Sequence, residues 1–369
     1  MKIVVFVNKL TGGGAERVAS LWVKGFYQQG YDVSVIISDD KSPRTYQIPD
    51  EVKVYSIDMP FRNRLLRYVW AKLRKKEKQR KLHALFEKIK PDVLIGVIVQ
   101  TGPLLFAARG DMQFKVIGTD HNAYDRPEDA PLTKYQQWLK FELNKRFDIV
   151  TVLTQADKDY IGNRLNNVVV LPNPLTFEPL KQVPPKKKVI LASGRLEIWK
   201  TKGFDVLIKA WGLISIKYPD WKLQIAGTGK AKHVDLMKQF IRESNVMGST
   251  ELLGFCNDVK SLYQQSAVFV LSSRSEGFGM VLTEAMSQGC ACIACDFRGR
   301  QREIIRTSEE GIICQTDNVN ELANAMERLI VDDCLRERLQ RNALIRSEYF
   351  SLENTMKRWN DIFKQLNLL

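Results

Sequence analysis

Two glutamates, Glu276 and Glu284, flank the segment of the sequence that is richest in reactive residue types. This segment follows the apolar run 268–271, and Gly277 and Gly279 lead it into a predicted helix. Free N–H groups at a helix N-terminus attract an anion, whereas two carboxylates beside an anion are unfavourable unless they bind hydroxyl groups or cations. A nucleotide sugar, with phosphates and many hydroxyl groups, meets both conditions. The alternative is a pair of solvated carboxylates, and the apolar residues between them argue against it.

Glycines or basic side chains follow two other predicted strands. The segment 11–17, TGGGAER, comes directly after the run 2–7 and opens a helix, so its backbone could approach a ligand closely. Arg195 follows the first strand of the second half, and Lys200 and Lys202 come at the next helix start, where such cations can clamp a diphosphate. The alternatives are a tight strand-to-helix turn and a solvated basic loop.

The cysteines do not indicate a disulfide framework or a metal site. All six lie in the second half of the chain, which fits a reducing compartment better. Cys290, Cys292 and Cys295 lie in an apolar run without a nearby histidine, and we predict buried thiols there. Residues 157–159 are formally a D-x-D sequence, but after Thr154 they are typical of a helix N-terminus. We therefore expect no metal and no other cofactor.

Length, composition and charge narrow the class of protein. The 369 residues are too many for one ordinary core, and 44% hydrophobic with 27% charged residues excludes a disordered or collagen-like chain. The net charge is +14, and residues 61–90 alone hold twelve basic and two acidic side chains, which indicates one docking face. The N-terminus does not resemble a signal peptide, and the longest uncharged run, 93–108, is typical of a strand, a turn and a helix rather than a membrane span.

Alternating β-branched runs and amphipathic stretches predict the elements that position these residues. Strands are predicted at 2–7, 32–37, 92–98, 114–118, 148–152, 167–170, 188–192, 221–226, 250–253, 268–271 and 291–295. Helices are predicted at 14–29, 64–89, 131–146, 155–164, 203–217, 231–244, 258–265, 278–288, 318–330 and 332–347. This alternation predicts an α/β chain with two Rossmann-like domains, 1–172 and 188–350, joined by a proline-rich linker at 173–187. Ligands bind beyond the carboxyl ends of such strands, so two facing sheets predict a cleft between the domains.

The ordered motifs of this chain resemble those of the retaining GT-B glycosyltransferases of family 4, over nearly its whole length. The motifs are GGAER at 13–17, GRL at 194–196, KGFD at 202–205, IAGTG at 225–229, LGF at 253–255 and SEGFGMVLTEA at 275–285. Residues 120–122 and 153–157 look most like the bacterial members that build capsule, O-antigen or lipid-linked oligosaccharides. The resemblance implies the GT-B fold, an acceptor-binding first domain, a donor-binding second domain, and a closing helix at about 351–369 that crosses back onto the first.

The resemblance also implies a role for each candidate residue. Arg195 and Lys202 are implied to neutralise the donor diphosphate, and Glu276 to bind the donor sugar. Glu284 is implied to bind the ribose hydroxyls, and His121 to lie beside the transferred sugar. The other implied donor-binding positions are Gly13, Gly14, Gly227, Phe255, Phe278, Gly279, Met280 and Val281, with Gly254 and Cys256 beside Phe255 at the base.

The implied mechanism is front-face displacement, in which the departing phosphate oxygen helps to take the acceptor proton and Glu276 positions the sugar. Two departures from the family pattern bear on these roles. Two residues are inserted between Arg195 and Lys202, so Lys200 could contact the diphosphate instead. Residues 298–303, RGRQRE, stand where relatives often have Gly-Pro, which adds basic charge and bears on sugar selection.

The apolar residues of the basic stretch 61–90 form two groups with helical spacing, at 66–73 and 82–89. On one straight helix they would point roughly 160° apart at about 100° per residue, so either the helix breaks or the groups face different surroundings. We assign 82–89 to the core. The group 66–73 is predicted to dock on an anionic membrane or to guide a pyrophosphate-linked lipid acceptor, the alternative being a solvated helix. The predicted docking residues are Arg64, Arg67, Trp70, Arg74, Lys75 and Lys76.

The sequence and the resemblance together predict a cytoplasmic enzyme, peripheral on the inner face of the plasma membrane. It is expected to transfer a hexose or N-acetylhexosamine from a UDP-linked nucleotide sugar, with retention, to a lipid-linked glycan acceptor in bacterial surface polysaccharide or oligosaccharide assembly. One alternative is a sugar-nucleotide epimerase of the same architecture, which would need acid and base side chains in the cleft. The other is a nucleic-acid-binding protein, against which the sparse aromatic residues of 61–90 argue. The sequence gives no indication of oligomeric state.

Overall fold

The structure, a computed structural model, describes residues 1–40, 43–57, 67–126 and 131–369, and for residues 67–74 the backbone alone. The chain divides into two compact units. Unit 1 comprises Met1–Thr176 and Leu352–Leu369, and unit 2 comprises Phe177–Ser351. The first crossing, after residue 176, falls within the predicted linker 173–187, and residues 352–369 return to unit 1.

Unit 1 is built on a parallel sheet of seven strands in the order β3-β2-β1-β4-β5-β6-β7. The strands are β1 (Lys2–Val7), β2 (Asp32–Ile37), β3 (Lys53–Ser56), β4 (Val93–Val97), β5 (Lys115–Thr119), β6 (Ile149–Val152) and β7 (Val168–Val170). Six of them confirm the predicted strands, because runs of valine and isoleucine suit a sheet that is covered on both faces. The sequence does not predict β3, a four-residue edge strand that contains no fully buried residue.

Helices cover the sheet of unit 1. They are α1 (Gly14–Gln28), α2 (Arg67–Ile89), α3 (Gly102–Arg109), α4 (Lys134–Gln137) and α5 (Gln155–Ile161). The single helix predicted over 131–146 is instead α4, a π-helical turn at Trp138–Glu142 and a 3₁₀ turn at Leu143–Arg146. Thr133 caps α4 and Thr154 caps α5 through side-chain hydrogen bonds, and the second cap confirms the helix N-terminus predicted at 157–159.

Helix α2 is continuous from Arg67 to Ile89, so the alternative of a break in the basic stretch is wrong. The prediction for its C-terminal half is confirmed, since Leu82 and Phe86 are fully buried in the core of unit 1 beside Leu94 and Leu105. Lys75 and Lys76 are exposed. Arg64 and the side chains of Arg67, Trp70 and Arg74 lie outside the described residues.

Unit 2 contains a parallel sheet of six strands in the order β10-β9-β8-β11-β12-β13. The strands are β8 (Lys187–Ser193), β9 (Lys222–Ala226), β10 (Thr250–Gly254), β11 (Ser266–Leu271), β12 (Ala291–Asp296) and β13 (Ile312–Gln315). The helices are α6 (Trp199–Lys202), α7 (Phe204–Ile214), α8 (Ala231–Glu243), α9 (Val259–Gln265), α10 (Met280–Ser287), α11 (Val319–Val331) and α12 (Asp333–Ser347). Both sheets thus have the strand order of a Rossmann fold, and the prediction of two Rossmann-like units is confirmed.

The last helix, α13 (Leu352–Gln365), completes unit 1 by packing on α1. Trp359 is fully buried and meets Trp22 and Phe26 edge-on, with ring centroids 5.1 Å and 5.4 Å away. Burial of such aromatic rings contributes strongly to core stability. Among the described residues, no helix has both the length and the apolar character needed to cross a membrane.

Candidate functional site

Lys202 and Glu276 meet at the carboxyl edge of the unit 2 sheet. Lys202 ends α6, Glu276 lies in the loop after β11, and Nζ donates to Oε1 at 2.6 Å. Oγ of Ser273 donates to the same carboxylate oxygen at 2.7 Å. Both side chains of the ion pair are mostly buried, with 15% and 13% exposed. A lysine ammonium and a glutamate carboxylate therefore lie side by side, in the part of the sheet where Rossmann-type folds bind ligands.

Glycines allow the loops at this edge to pack against each other. Gly203 has φ +63°, and a Cβ atom there would collide with the carbonyl oxygen of Ser272, at the end of β11. Gly227 has φ +154°, and a Cβ atom would collide with the carbonyl oxygen of Gly194. Only glycine fits such close backbone approaches, and they bring the KGFD, GRL and IAGTG segments together.

Arg274 joins the loop after β11 to helix α6, which carries both lysines. Its guanidinium forms a bidentate ion pair with Asp205 at 2.8 Å and bonds Asp317 at 2.6 Å. The same side chain donates to the carbonyl of Lys200 at 2.6 Å, and its backbone N–H donates to the carbonyl of Thr201 at 2.7 Å. The hydrogen bonds to Asp205, together with the charges of Asp205 and Asp317, raise the pKa of the guanidinium above its ordinary value. The sequence does not predict a role for Arg274, because Asp205 and Asp317 lie 69 and 43 residues away along the chain.

Glu284 is buried on α10, with 4% exposed. The hydroxyl of Tyr263 donates to its Oε2 at 3.2 Å, and Oγ of Ser193 lies 3.1 Å from the same hydroxyl oxygen. Tyr263 and Ser193 are buried too, and the sequence assigns neither of them a role. The carboxylate expected to bind ribose is therefore connected to the last residue of β8, directly before Gly194 and Arg195.

The N-terminus of α10 presents backbone rather than side chains. Gly279 is the N-cap residue with φ +93°, and no side chain caps the helix. Phe278 is buried edge-on against Phe350 at 5.7 Å, so its ring belongs to the core. Met280 and Val281 are half-buried at the first helical positions. The resemblance implies that the backbone groups of these residues surround the ligand.

The remaining predicted donor-binding residues lie on loops at strand ends. Arg195 and Phe255 are exposed, Phe255 by 74%, while Gly227 and Cys256 are half-buried. Residues 298–303 are the segment that differs from the family pattern. Within it, Arg300 is buried beside the ring of Phe297 at 5.1 Å, and Arg302 bonds Asp296 at 2.7 Å.

In unit 1, the glycine-rich loop after β1 is exposed at Gly12, Gly13 and Gly14. Gly13 is the N-cap residue of α1, and a Cβ atom there would collide with the carboxylate of Glu16. The hydroxyl of Tyr46 donates to the carbonyl of Gly12 at 3.0 Å. The left-handed residue of the turn is Gly12, with φ +94°, and the turn is held by a side chain from a later segment.

His121 follows β5 and is held from several sides. Its Nε2 lies 3.1 Å from Oγ1 of Thr119, and its ring centroid lies 5.6 Å from that of Trp22. Burial lowers the pKa of His121 to about 4, although the Asp120 carboxylate and the Asn173 side chain oppose the shift. The imidazole is therefore neutral at neutral pH, and as a neutral ring it can both donate and accept a hydrogen bond.

A buried ion pair fixes the loop that carries His121. Nζ of Lys140, in the π-helical turn, bonds Oδ2 of Asp120 at 2.6 Å, with 4% and 2% of the side chains exposed. The same ammonium lies 3.7 Å from the ring centroid of Tyr124 and 3.3 Å from the carbonyl of Asn122. A paired and hydrogen-bonded buried charge is costly to disturb, so this contact holds the loop in one conformation.

The cysteine prediction is confirmed at Cys290, Cys292 and Cys295, which are buried thiols. Burial raises the pKa of Cys290 to about 11, so this thiol is inert at neutral pH. Within the described ranges, no three histidine, cysteine, aspartate or glutamate side chains cluster as a metal site requires.

Both units match families of known proteins. Residues 12–178 match the family described as Glycosyltransferase Family 4, and residues 177–346 match Glycosyl transferases group 1. An uncharacterized glycosyltransferase of Haemophilus influenzae is 26% identical, over 98% of this chain and 99% of that protein. The N-acetylgalactosamine-N,N'-diacetylbacillosaminyl-diphospho-undecaprenol 4-alpha-N-acetylgalactosaminyltransferase of Campylobacter jejuni is 25% identical over 95% of each chain. The crystal structure of Anabaena HepE in complex with UDP and glucose superposes with a TM-score of 0.79, at 21% identity and over the whole of both chains.

Proposed function

Since the chain belongs to the group 1, family 4-like glycosyltransferases with the GT-B fold, we propose that it transfers a hexose or N-acetylhexosamine from UDP to a lipid-linked glycan, with retention of configuration. The observation that carries the proposal is the 2.6 Å contact between Lys202 and Glu276 at the strand ends of unit 2, with the buried Glu284 on the adjoining helix. One donor molecule offers a phosphate to the lysine and hydroxyl groups to the two carboxylates. The relatives are glycosyltransferases, so they favour neither an epimerase nor a nucleic-acid-binding protein.

In the proposed reaction, the bond between the anomeric carbon and the β-phosphate oxygen of UDP breaks. The acceptor hydroxyl oxygen bonds the anomeric carbon on the same face, and its proton passes to the departing phosphate oxygen. Lys202 and Arg195 stabilise the negative charge that develops on the diphosphate. Because Lys202 is already paired with Glu276, the diphosphate replaces or shares an existing ion pair instead of meeting an isolated buried cation.

The other roles proposed for unit 2 follow the same geometry. Glu276 contacts hydroxyl groups of the sugar, Glu284 contacts the ribose, and the uncapped N-terminus of α10 contacts the phosphates. In unit 1, His121 and the loop of Gly13 and Gly14 are proposed to contact the transferred sugar and the acceptor. No metal is proposed, because the basic side chains supply the positive charge.

The test is donor binding followed by transfer. A panel of UDP-, GDP-, ADP- and TDP-sugars and free nucleotides is screened without metal by thermal stabilisation, since a ligand of the folded state raises the melting temperature. We expect UDP and one UDP-sugar to stabilise the protein. Arg195→Ala is expected to lower turnover at least tenfold, whereas Arg328→Ala, at an exposed arginine on α11, leaves it unchanged. Equal activity of both variants, or a response to a different nucleotide only, contradicts the assignment.

We also propose that the enzyme works on the inner face of the plasma membrane. The Campylobacter jejuni relative is named for a diphospho-undecaprenol acceptor, and the exposed side chains at Lys75, Lys76, Arg80 and Lys81 on α2 give unit 1 a basic surface. Co-sedimentation with vesicles tests this. Replacing these four residues by glutamine should abolish binding to vesicles with 30% anionic lipid, while Lys232→Gln with Lys238→Gln on α8 leaves it intact. Equal binding to purely zwitterionic vesicles contradicts an electrostatic docking face.

A further inference from the structure

Tyr263 is a fully buried polar side chain to which the proposed chemistry gives no role. It lies on α9, and its ring packs edge-on against Phe269 at 5.5 Å. A phenylalanine would fill the same space. A buried hydroxyl must be hydrogen-bonded to offset its desolvation, and here the partners are Glu284 and Ser193.

The hydrogen bonds run in one direction. The Glu284 carboxylate can only accept, so the Tyr263 hydroxyl donates to it and accepts from the Ser193 hydroxyl. Burial, and next the charge of Glu284, raises the pKa of Tyr263 well above its ordinary value of 10. The hydroxyl therefore keeps its proton, and with it the ability to donate, over the whole working range of pH.

The two partners belong to parts of the proposed donor site that contact different portions of a nucleotide. Ser193 ends β8, directly before Gly194 and Arg195 in the diphosphate loop, and Glu284 is the ribose carboxylate on α10. Tyr263 lies behind both and is inaccessible to solvent, so it touches neither phosphate nor ribose itself.

We propose that Tyr263 is a positioning residue, whose hydroxyl orients the Glu284 carboxylate toward the ribose and fixes it relative to the diphosphate loop. This inference rests on the proposed function, because ribose binding by Glu284 is part of that function. It adds a determinant of selectivity for ribonucleotides over deoxyribonucleotides that does not itself contact the ligand.

The experiment compares binding of UDP and 2′-deoxy-UDP by isothermal titration calorimetry. The wild type is expected to bind UDP about tenfold more tightly than 2′-deoxy-UDP, because a hydrogen bond to a charged group is lost with the 2′-hydroxyl. In Tyr263→Phe, UDP affinity should fall about five- to tenfold while 2′-deoxy-UDP affinity changes less than twofold. The selectivity ratio then approaches one, a change that general loss of stability does not produce.

Matched variants separate positioning from packing. Tyr218→Phe removes another tyrosine–glutamate hydrogen bond of unit 2, from Tyr218 to Glu327 at 2.8 Å, and should leave the ratio unchanged. Ser193→Ala should lower the ratio in the same direction by a smaller factor, which keeps the test decisive if Tyr263→Phe folds poorly. In a Glu284→Gln background, Tyr263→Phe should have no further effect on the ratio.

The outcomes distinguish the two proposals. If the wild type binds UDP selectively and both Tyr263→Phe and Ser193→Ala keep the wild-type ratio, the positioning role is wrong and the proposed function stands. If the wild type does not bind UDP, the proposed function fails and the positioning role fails with it.

Discussion

At the scale of single residues, the ion pair of Lys202 with Glu276 explains how opposite charges tolerate partial burial at a strand end. An unpaired charge in this position would be expensive, whereas the paired one can exchange its partner for a ligand at little cost. The sequence predicts both residues as candidates but cannot predict that they touch. It also cannot decide between Lys200 and Lys202, since both follow the same strand.

We propose that Lys202, rather than Lys200, contacts the diphosphate. Its ammonium is directed to Glu276, whereas Lys200 is exposed and its carbonyl is engaged by Arg274. Lys202→Met is expected to weaken UDP binding tenfold or more, because a charge-assisted contact is lost, and Lys200→Met less than twofold. Calorimetric titration of both variants checks this. A larger effect at Lys200 would reverse the assignment.

His121 makes the stability of unit 1 sensitive to acid. Its pKa is about 4 when folded and about 6.5 in an unfolded chain, so the unfolded state binds a proton first as the pH falls. The native state is thereby favoured fully above pH 6.5, and that advantage is lost between pH 6.5 and 4. Between pH 7.5 and 5 the wild type should lose about 2 kcal/mol more than His121→Gln. Urea unfolding at the two pH values measures the difference, and parallel losses would contradict it.

At the scale of elements, the strands and most helices could be predicted because their patterns are local. A run such as IVVFV at 3–7 is typical of a strand that is covered on both faces, and its residues are buried in the structure. The misses are short or irregular. The edge strands β3 and β13 have four residues each. The helix predicted over 131–146 changes to a π-helical turn at the buried Lys140 and then to a 3₁₀ turn. Tyr263 escapes prediction because its role depends on Ser193 and Glu284, 70 and 21 residues away.

The junction between α6 and α7 depends on Gly203. Gly203→Ala introduces a left-handed alanine and a collision with the carbonyl of Ser272, and should cost more than about 2 kcal/mol in the stability of unit 2. UDP binding should weaken as well, because helix α6, which ends at Lys202, must shift. Gly248→Ala is the control, since a Cβ atom there meets nothing within 4 Å. Thermal unfolding with and without UDP compares them, and equal melting temperatures would contradict the predicted strain.

At the scale of the whole molecule, the chain leaves unit 1 after β7, builds unit 2, and returns with α13. Each unit has its own buried core, so we expect two unfolding transitions. Trp359→Ala should lower the free energy of unfolding of unit 1 by about 3–5 kcal/mol and leave the unfolding temperature of unit 2 unchanged. Trp138→Ala, at a tryptophan that is 45% exposed in the same unit, is the control. Calorimetry with UDP identifies the transition of unit 2, and a shift of that transition by Trp359→Ala would contradict independent cores.

The return of α13 also sets an order of events during translation. The ribosome must finish all of unit 2 before it makes the helix that covers Trp22 and Phe26 on α1. Until then the nascent first unit carries an uncovered aromatic face, the kind of surface that chaperones hold and proteases attack. A message truncated anywhere within unit 2 would leave that face exposed for good. The core of unit 1 is therefore completed only after unit 2 has been synthesised.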